Sequence, residues 1–149
     1  LDARFTEGAL TEPLRPAPAD QPPGSVVQDL SGNRLPRAPE WKTNVGAQLF
    51  WPLASGGELI LRANYAWQSE VFFTVFNIDA ASQDDYGVVD GRIQYTHRDG
   101  KWDVALFGRN LMDETYFMNQ ILTGTTYGAE FVGTLGAPRT VGIEFHLSL

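Results

Sequence analysis

The chain has no cysteine, which excludes disulfides and thiolate metal sites. Its two histidines, His97 and His146, lie far apart and outside any H-x-x-H or H-x-x-x-H spacing. Both are read as surface or lumen side chains, and no metal site is expected. Basic residues are outnumbered, with 11 Lys+Arg against 18 Asp+Glu and a net charge of -7, so the basic footprint of a nucleic-acid partner is missing. No run of about 18 apolar residues occurs, which rules out a transmembrane helix but not a membrane, because a transmembrane strand needs only about 9–11 residues with every second one apolar. The opening LDARFTEG has neither a basic n-region nor an apolar h-region. The expectation is therefore an intracellular chain, a mature product or a piece of something longer. No Ser/His/Asp arrangement, phosphate loop or catalytic thiol is recognisable, so neither an enzyme nor a cofactor is expected.

What is present is alternation. Residues 40–52 set Trp41, Thr43, Val45, Ala47, Leu49 and Trp51 against Lys42, Asn44, Gly46, Gln48 and Phe50. After the turn signal Ser55-Gly56-Gly57, residues 58–68 set Leu59, Leu61, Ala63, Tyr65 and Trp67 against Ile60, Arg62, Asn64, Ala66 and Gln68. That strand is expected to continue through Val71-Phe72-Phe73 to about residue 75. Residues 86–97 alternate again, and the turn at residues 98–101, with Asp99-Gly100, leads into a strand over 101–117. The last strand covers Thr140 to Leu149. Residues 1–8, with Leu1, Ala3 and Phe5 on one side, are read as the end of a further strand. Residues 9–39 hold seven of the nine prolines and are read as a long loop, because such density forbids helix and central strand. Residues 76–85 and 117–138 are the other long loops. Long and short connections alternate, so the expected fold is all-β, an antiparallel up-and-down meander of about six strands with every long loop at one end.

One face of five of these strands comprises 21 positions, none charged, although 19 % of the chain is charged and roughly 4 would fall there without patterning. The opposite face carries Arg62, Asp90, Arg92, Asp103, Arg109 and Glu144. A soluble antiparallel β-domain would use the uncharged face as its core. A membrane barrel would turn it to lipid and line its lumen with the charged face. Trp41 and Trp51 share a face ten residues apart. At ~3.3 Å per residue and ~40° tilt that is roughly 25 Å, the height of an apolar band between two aromatic girdles. Trp51, Tyr95 and Trp102 would form the girdle at the short-turn end, and Trp41 and Trp67 the girdle at the long-loop end.

The segment Gly108-Arg109-Asn110-Leu111-Met112-Asp113-Glu114-Thr115-Tyr116 closely resembles the "G-x-N-L-x-D-E-x-Y" segment near the C-terminus of TonB-dependent outer-membrane receptors. RLPRAPEWKTNVG (34–46), DYGVVDGRIQY (85–95) and GAPRTVGIEFHLSL (136–149) are similar to strands of that family. One departure is Leu149, where such barrels usually end in an aromatic residue. The resemblance implies a 22-stranded barrel plugged by an N-terminal domain, which imports scarce ligands such as ferric siderophores with energy passed on by TonB. It implies that residues 1–149 are the C-terminal portion of such a barrel, in the outer membrane of a Gram-negative bacterium. The implied partners are lipid, the remaining strands, the plug, TonB through that plug, and a small-molecule ligand. A plug-less porin and a soluble β-domain stay open as alternatives.

A ligand site in such a protein would draw on the long loops and the upper lumen. Tyr127 and Phe131 are candidates to stack a planar ligand, and Arg62 or Arg92 to attract an anion. Asp84-Asp85 is read as a solvated loop tip rather than a cation site. Asp113-Glu114 is expected where strand meets loop, paired with a neighbour such as Arg109.

Overall fold

A computed structural model of the chain describes residues 2–12, 19–22, 26–123 and 130–148. In chain order the strands are β1 (Ala9–Thr11), β2 (Val27–Asp29), β3 (Lys42–Pro52), β4 (Glu58–Gln68), β5 (Val71–Phe72), β6 (Ser82–Gln83), β7 (Tyr86–Thr96), β8 (Trp102–Arg109), β9 (Phe117–Leu122), β10 (Phe131–Leu135) and β11 (Thr140–Leu147). One 3-10 turn, Asp79–Ala81, precedes β6. The chain divides into two compact units, one built from Lys42–Trp67, Tyr86–Thr115 and Ala137–Leu149, the other from Leu1–Trp41, Gln68–Asp85 and Tyr116–Gly136.

The first unit is a five-stranded sheet in the order β3-β4-β7-β8-β11. Each long strand lies beside the one before it, which is the expected up-and-down meander. Two tight turns enforce this. In the β3–β4 turn, Gly56 has φ 87° and its N–H donates to the Leu53 carbonyl at 2.9 Å. In the β7–β8 turn, Gly100 has φ 68° and its N–H donates to the His97 carbonyl at 2.8 Å. Asp99 Oδ1 accepts the Lys101 N–H at 3.0 Å and lies 2.8 Å from His97 Nδ1. Those two contacts, the His97 one first, hold the exposed Asp99 carboxyl below the usual carboxylate range.

Register places like with like. Tyr95, Val104 and Phe145 form one row across β7, β8 and β11, and Ile93, Leu106 and Ile143 the next. Between them on the other face run Gln94, Ala105 and Glu144. Two-residue periodicity therefore separates the faces as the sequence predicts. The uncharged face is largely open: Ile143 is 75 % exposed and Phe145 65 %. Among the described residues the buried apolar side chains are Leu30, Val71, Phe73, Ala81 and Ala105, and Ala105, the one of these in this unit, lies on the charged face. The sheet has no hydrophobic core on its apolar side.

The second unit collects the three long connections, which fold as more than loops. β1 pairs antiparallel with β2, β5 with β6, and β9 with β10. Arg34 fastens the proline-rich segment: it pairs with Glu40 at 3.2 Å and Glu70 at 3.0 Å, and its guanidinium sits 5.7 Å over the Phe72 ring. Asn77, at φ 49°, accepts the Arg34 N–H at 2.6 Å and donates back to the Arg34 carbonyl at 3.0 Å.

Several sequence expectations are corrected here. Residues 2–8 form no strand, only an isolated bridge between Arg4 and Arg34, and Leu1 lies outside the described residues. Strand β4 stops at Gln68, because the alternation of Val71 and Phe73 buries those side chains in the second unit instead. Strand β8 stops at Arg109, not near residue 117. The stretch 117–138 contains the antiparallel pair β9/β10.

Replacing Gly100 by Val puts a β-branched residue in left-handed backbone, and the expected cost is roughly 1–2 kcal/mol. Gly46→Ala, outside that region, is the comparison. Thermal unfolding of the parent protein carrying either change is the measurement. Since the Asp99 carboxyl titrates below its usual range of about 3.8, its contribution to the turn is complete above that value and fades as pH falls through the lower folded value. Asp99→Ala should remove that part of the acid dependence.

Candidate functional site

The charged face of the sheet is where chemistry can be done. Alternation brings Gln48, Arg62, Arg92, Arg109 and Glu144 to one face of neighbouring strands, around a concavity of about 560 Å³. The three arginines meet different surroundings. Arg92 is neutralised, with Nη1 on Glu144 Oε2 at 2.5 Å and Nε and Nη2 on Gln94 Oε1 at 3.3 and 3.2 Å. Arg62 donates Nε and Nη2 to the uncharged Gln48 Oε1, at 2.9 and 2.5 Å. The Arg109 guanidinium sits 5.8 Å over the Phe107 ring. No described carboxylate lies within ion-pair distance of Arg62 or Arg109. Lower on the same face, His146 Nδ1 is 3.3 Å from Asp103 Oδ2, a pair set by their direct opposition in register.

Immediately after Arg109 the chain reverses around Asn110. This residue is 3 % exposed, has φ 48° and uses both side-chain donors and its acceptor oxygen. Its Nδ2 donates to the carbonyls of Glu114 (2.8 Å) and Ala137 (3.0 Å), while its Oδ1 accepts the Glu114 N–H at 2.9 Å. Its own N–H donates to Asp90 Oδ1 at 2.9 Å. Asparagine suits this place because it tolerates left-handed backbone and supplies both donor and acceptor. The next residue, Leu111, donates its N–H to the Val89 carbonyl at 2.8 Å and lays its side chain on the apolar face over Gly91 and Gly108. A Cβ on Gly108 would collide with Leu111 Cδ2. Asp113, also left-handed at φ 58°, pairs with Arg139 at 3.1 Å rather than with Arg109. The N-L-x-D-E segment is thus a latch joining the ends of β7, β8 and β11.

The residues singled out from sequence are distributed as follows. Arg62 and Arg92 share the concavity. Phe131 belongs to the other unit, opposite Leu122 in the β9/β10 pair. Tyr127 lies outside the described residues. Trp102 stacks on His97 at 5.0 Å, with Tyr95 at 5.5 Å and Phe145 at 6.2 Å. Trp51, 57 % exposed, is the penultimate residue of β3 near the short turn, and Trp41, 69 % exposed, precedes its start. Trp67 is the penultimate residue of β4. Asp84-Asp85 lies between β6 and β7. Among the described residues no group of three His, Asp or Glu is placed to hold a metal. Sequence reasoning assigned Arg109 to an acidic neighbour and missed Asn110 as the centre of the turn. The signal for Asn110 was its position directly after a strand and ahead of two acids.

A sheet with one uncharged, uncovered face and one charged, concave face is a piece of β-barrel wall. The family "TonB dependent receptor-like, beta-barrel" matches residues 11–111, more than half of the chain, and the chain belongs to that family. It is a family of transport receptors with outer-membrane barrels, not a family of enzymes. No curated protein matches the chain. Among solved structures it is similar to the crystal structure of the ferric yersiniabactin uptake receptor FyuA from Yersinia pestis, with a TM-score of 0.69 and 19 % identity. That match covers 82 % of this chain and 19 % of the receptor, so the chain spans about a fifth of its length.

Substituting Asn110 by Ala would strand the Glu114 N–H and the Ala137 carbonyl, for an expected loss of roughly 2–4 kcal/mol. Asn110→Asp keeps the acceptor but loses both donors and should recover only part of it. Thermal denaturation of the two variants in the parent protein reads this out.

Proposed function

We propose that residues 1–149 are the C-terminal portion of an outer-membrane receptor of a Gram-negative bacterium. The receptor binds a scarce small ligand, such as a ferric siderophore, and imports it without catalysing a reaction. Its partners are outer-membrane lipid, the barrel strands beyond β3 and β11, a plug domain and, through that plug, TonB. The observation that carries this reading is the exposure of an uncharged face along the five-stranded sheet. Water would penalise a surface of that kind, while hydrocarbon accepts it. The two sheet edges support the need for further strands, because unpaired backbone groups are not tolerated in lipid.

In this reading Trp51, Tyr95 and Trp102 anchor the wall at the short-turn side, and Trp41 and Trp67 anchor it at the opposite side. Arg62 and Arg92 on the wall attract an anionic ligand, and Phe131 and Tyr127 are separate candidates for stacking a planar one. The soluble-domain alternative needs the uncharged face to be buried, and Ile143 and Phe145 are open.

The parent gene product should fractionate with the outer membrane and require detergent for extraction, and recovery in the soluble fraction without detergent rejects the reading. Ile143→Arg at mid-face should cost about 2–4 kcal/mol of folding stability in phospholipid vesicles. Glu144→Gln, on the lumen side of the next position, should cost far less. Alanine at both Tyr127 and Phe131 should reduce ligand uptake by the parent receptor.

A further inference from the structure

The second unit is made of three stretches, Leu1–Trp41, Gln68–Asp85 and Tyr116–Gly136. The first two are tied along their length. The Arg37 N–H donates to the Phe72 carbonyl at 2.8 Å, Asn33 Nδ2 donates to the Val75 carbonyl at 2.9 Å, and the Asn77 side chain bonds the Arg34 backbone in both directions. Leu30 from the first stretch and Val71, Phe73 and Ala81 from the second are buried. The third stretch, which carries Phe131, is docked on this pair at β9. The Phe117 N–H, at the start of β9, donates to Gln83 Oε1 of the second stretch at 2.7 Å. Two residues on, Asn119 Oδ1 accepts Arg37 Nη2 of the first stretch at 2.7 Å.

Arg37 stands where a side chain is costly. Leu35-Pro36-Arg37-Ala38 is a tight turn with proline second and arginine third. Arg37 has φ 59°, and in a turn with proline second that left-handed place ordinarily goes to glycine or asparagine. Strain of this kind persists where the surroundings hold it, and it points to a task for the residue. The arginine is exposed, so burial of its side chain is not the reason for it. The bond to Asn119 is, because glycine would relieve the turn and lose that bond. We infer that Arg37 is a positioning residue, which docks the β9/β10 pair on the other two stretches and so fixes where Phe131 stands before any ligand arrives. The consequence is a contact arm that is preformed rather than closed by its ligand. The ligand role of Phe131 rests on the receptor reading above; the docking does not.

The test is amide hydrogen exchange of the purified full-length receptor in detergent, followed by mass spectrometry, with no ligand added. Peptides covering Phe117–Leu122 and Phe131–Leu135 should exchange slowly, as hydrogen-bonded structure does. Arg37→Gly keeps the turn and removes the bond. It should speed exchange in both peptides roughly three- to tenfold, the size of one hydrogen bond at an exposed site, and leave β7 and β8 unchanged. Asn119→Ala removes the same bond from the other side and should have the same effect. Combining the two should add nothing to either alone, since both delete one interaction. Exchange of β9 and β10 at the rate of unstructured peptide in the parent protein overturns the inference. So does an unchanged rate in Arg37→Gly, or a double variant in which the two effects multiply. Equal acceleration in β7 and β8 marks a general loss of fold and overturns the local role as well. Failure of the receptor reading is separate, since it shows as recovery of the protein outside the membrane fraction.

Discussion

The structure depends on one constraint: along five neighbouring strands, every second side chain must carry no charge. A pleated strand sends alternate residues to opposite faces, so the rule fixes which surface each residue joins. It also fixes what the two surfaces can meet. The face bearing Ile93, Leu106, Ile143 and Phe145 has no charge to hydrate and, apart from Leu111 over its two glycines, is left open by the sheet unit. The face bearing Arg62, Arg92 and Glu144 is the one that holds the ions. Much of what the chain does beyond standing in a wall therefore falls to the second face and to the connections.

That alternation is also why the sheet was legible. Five strands, two tight turns and the order of neighbours follow from period-two patterning and from glycine at Gly56 and Gly100, where backbone geometry demands it. The ends of strands were less legible, because alternation outlasts pairing. Val71 and Phe73 continue the pattern of β4 but are buried in a different unit. The proline-rich stretch misled in the opposite direction. Its prolines bar long strands, yet Ala9–Thr11, ahead of the first proline, and Val27–Asp29, between Pro23 and Pro36, form one short antiparallel pair. In 117–138 a mixture of glycine, threonine and aromatics concealed a hairpin whose pairing, such as Phe131 with Leu122, is set by neighbours rather than by period.

The site was half legible for a similar reason. Phase along the strand assigned Arg62, Arg92 and Arg109 to one face. What phase cannot say is which arginine is already satisfied, because that depends on residues far away in sequence. Glu144 reaches Arg92 across the intervening strand β8, and Asp113 reaches Arg139 only because Asn110 and Asp113 turn the chain left-handed. Pairing Asp113 with Arg109 assumed a chain that continues; the reversal at Asn110 removes that geometry.

Leu111 carries a consequence of a different kind. Gly91 and Gly108 stand directly opposite each other, and the gap they leave is filled by a side chain arriving from beyond the strand end. The arrangement works as a key in a slot. A slip of one residue between β7 and β8 would set Gly108 against Arg92 and turn every apolar side chain to the wrong surface. A slip of two would close the slot with Ile93 or Leu106. The hairpin turn holds alignment at one extremity of the pair, and the two glycines with their leucine hold it at the other, so the stagger of the wall is fixed locally before any more distant strand is added.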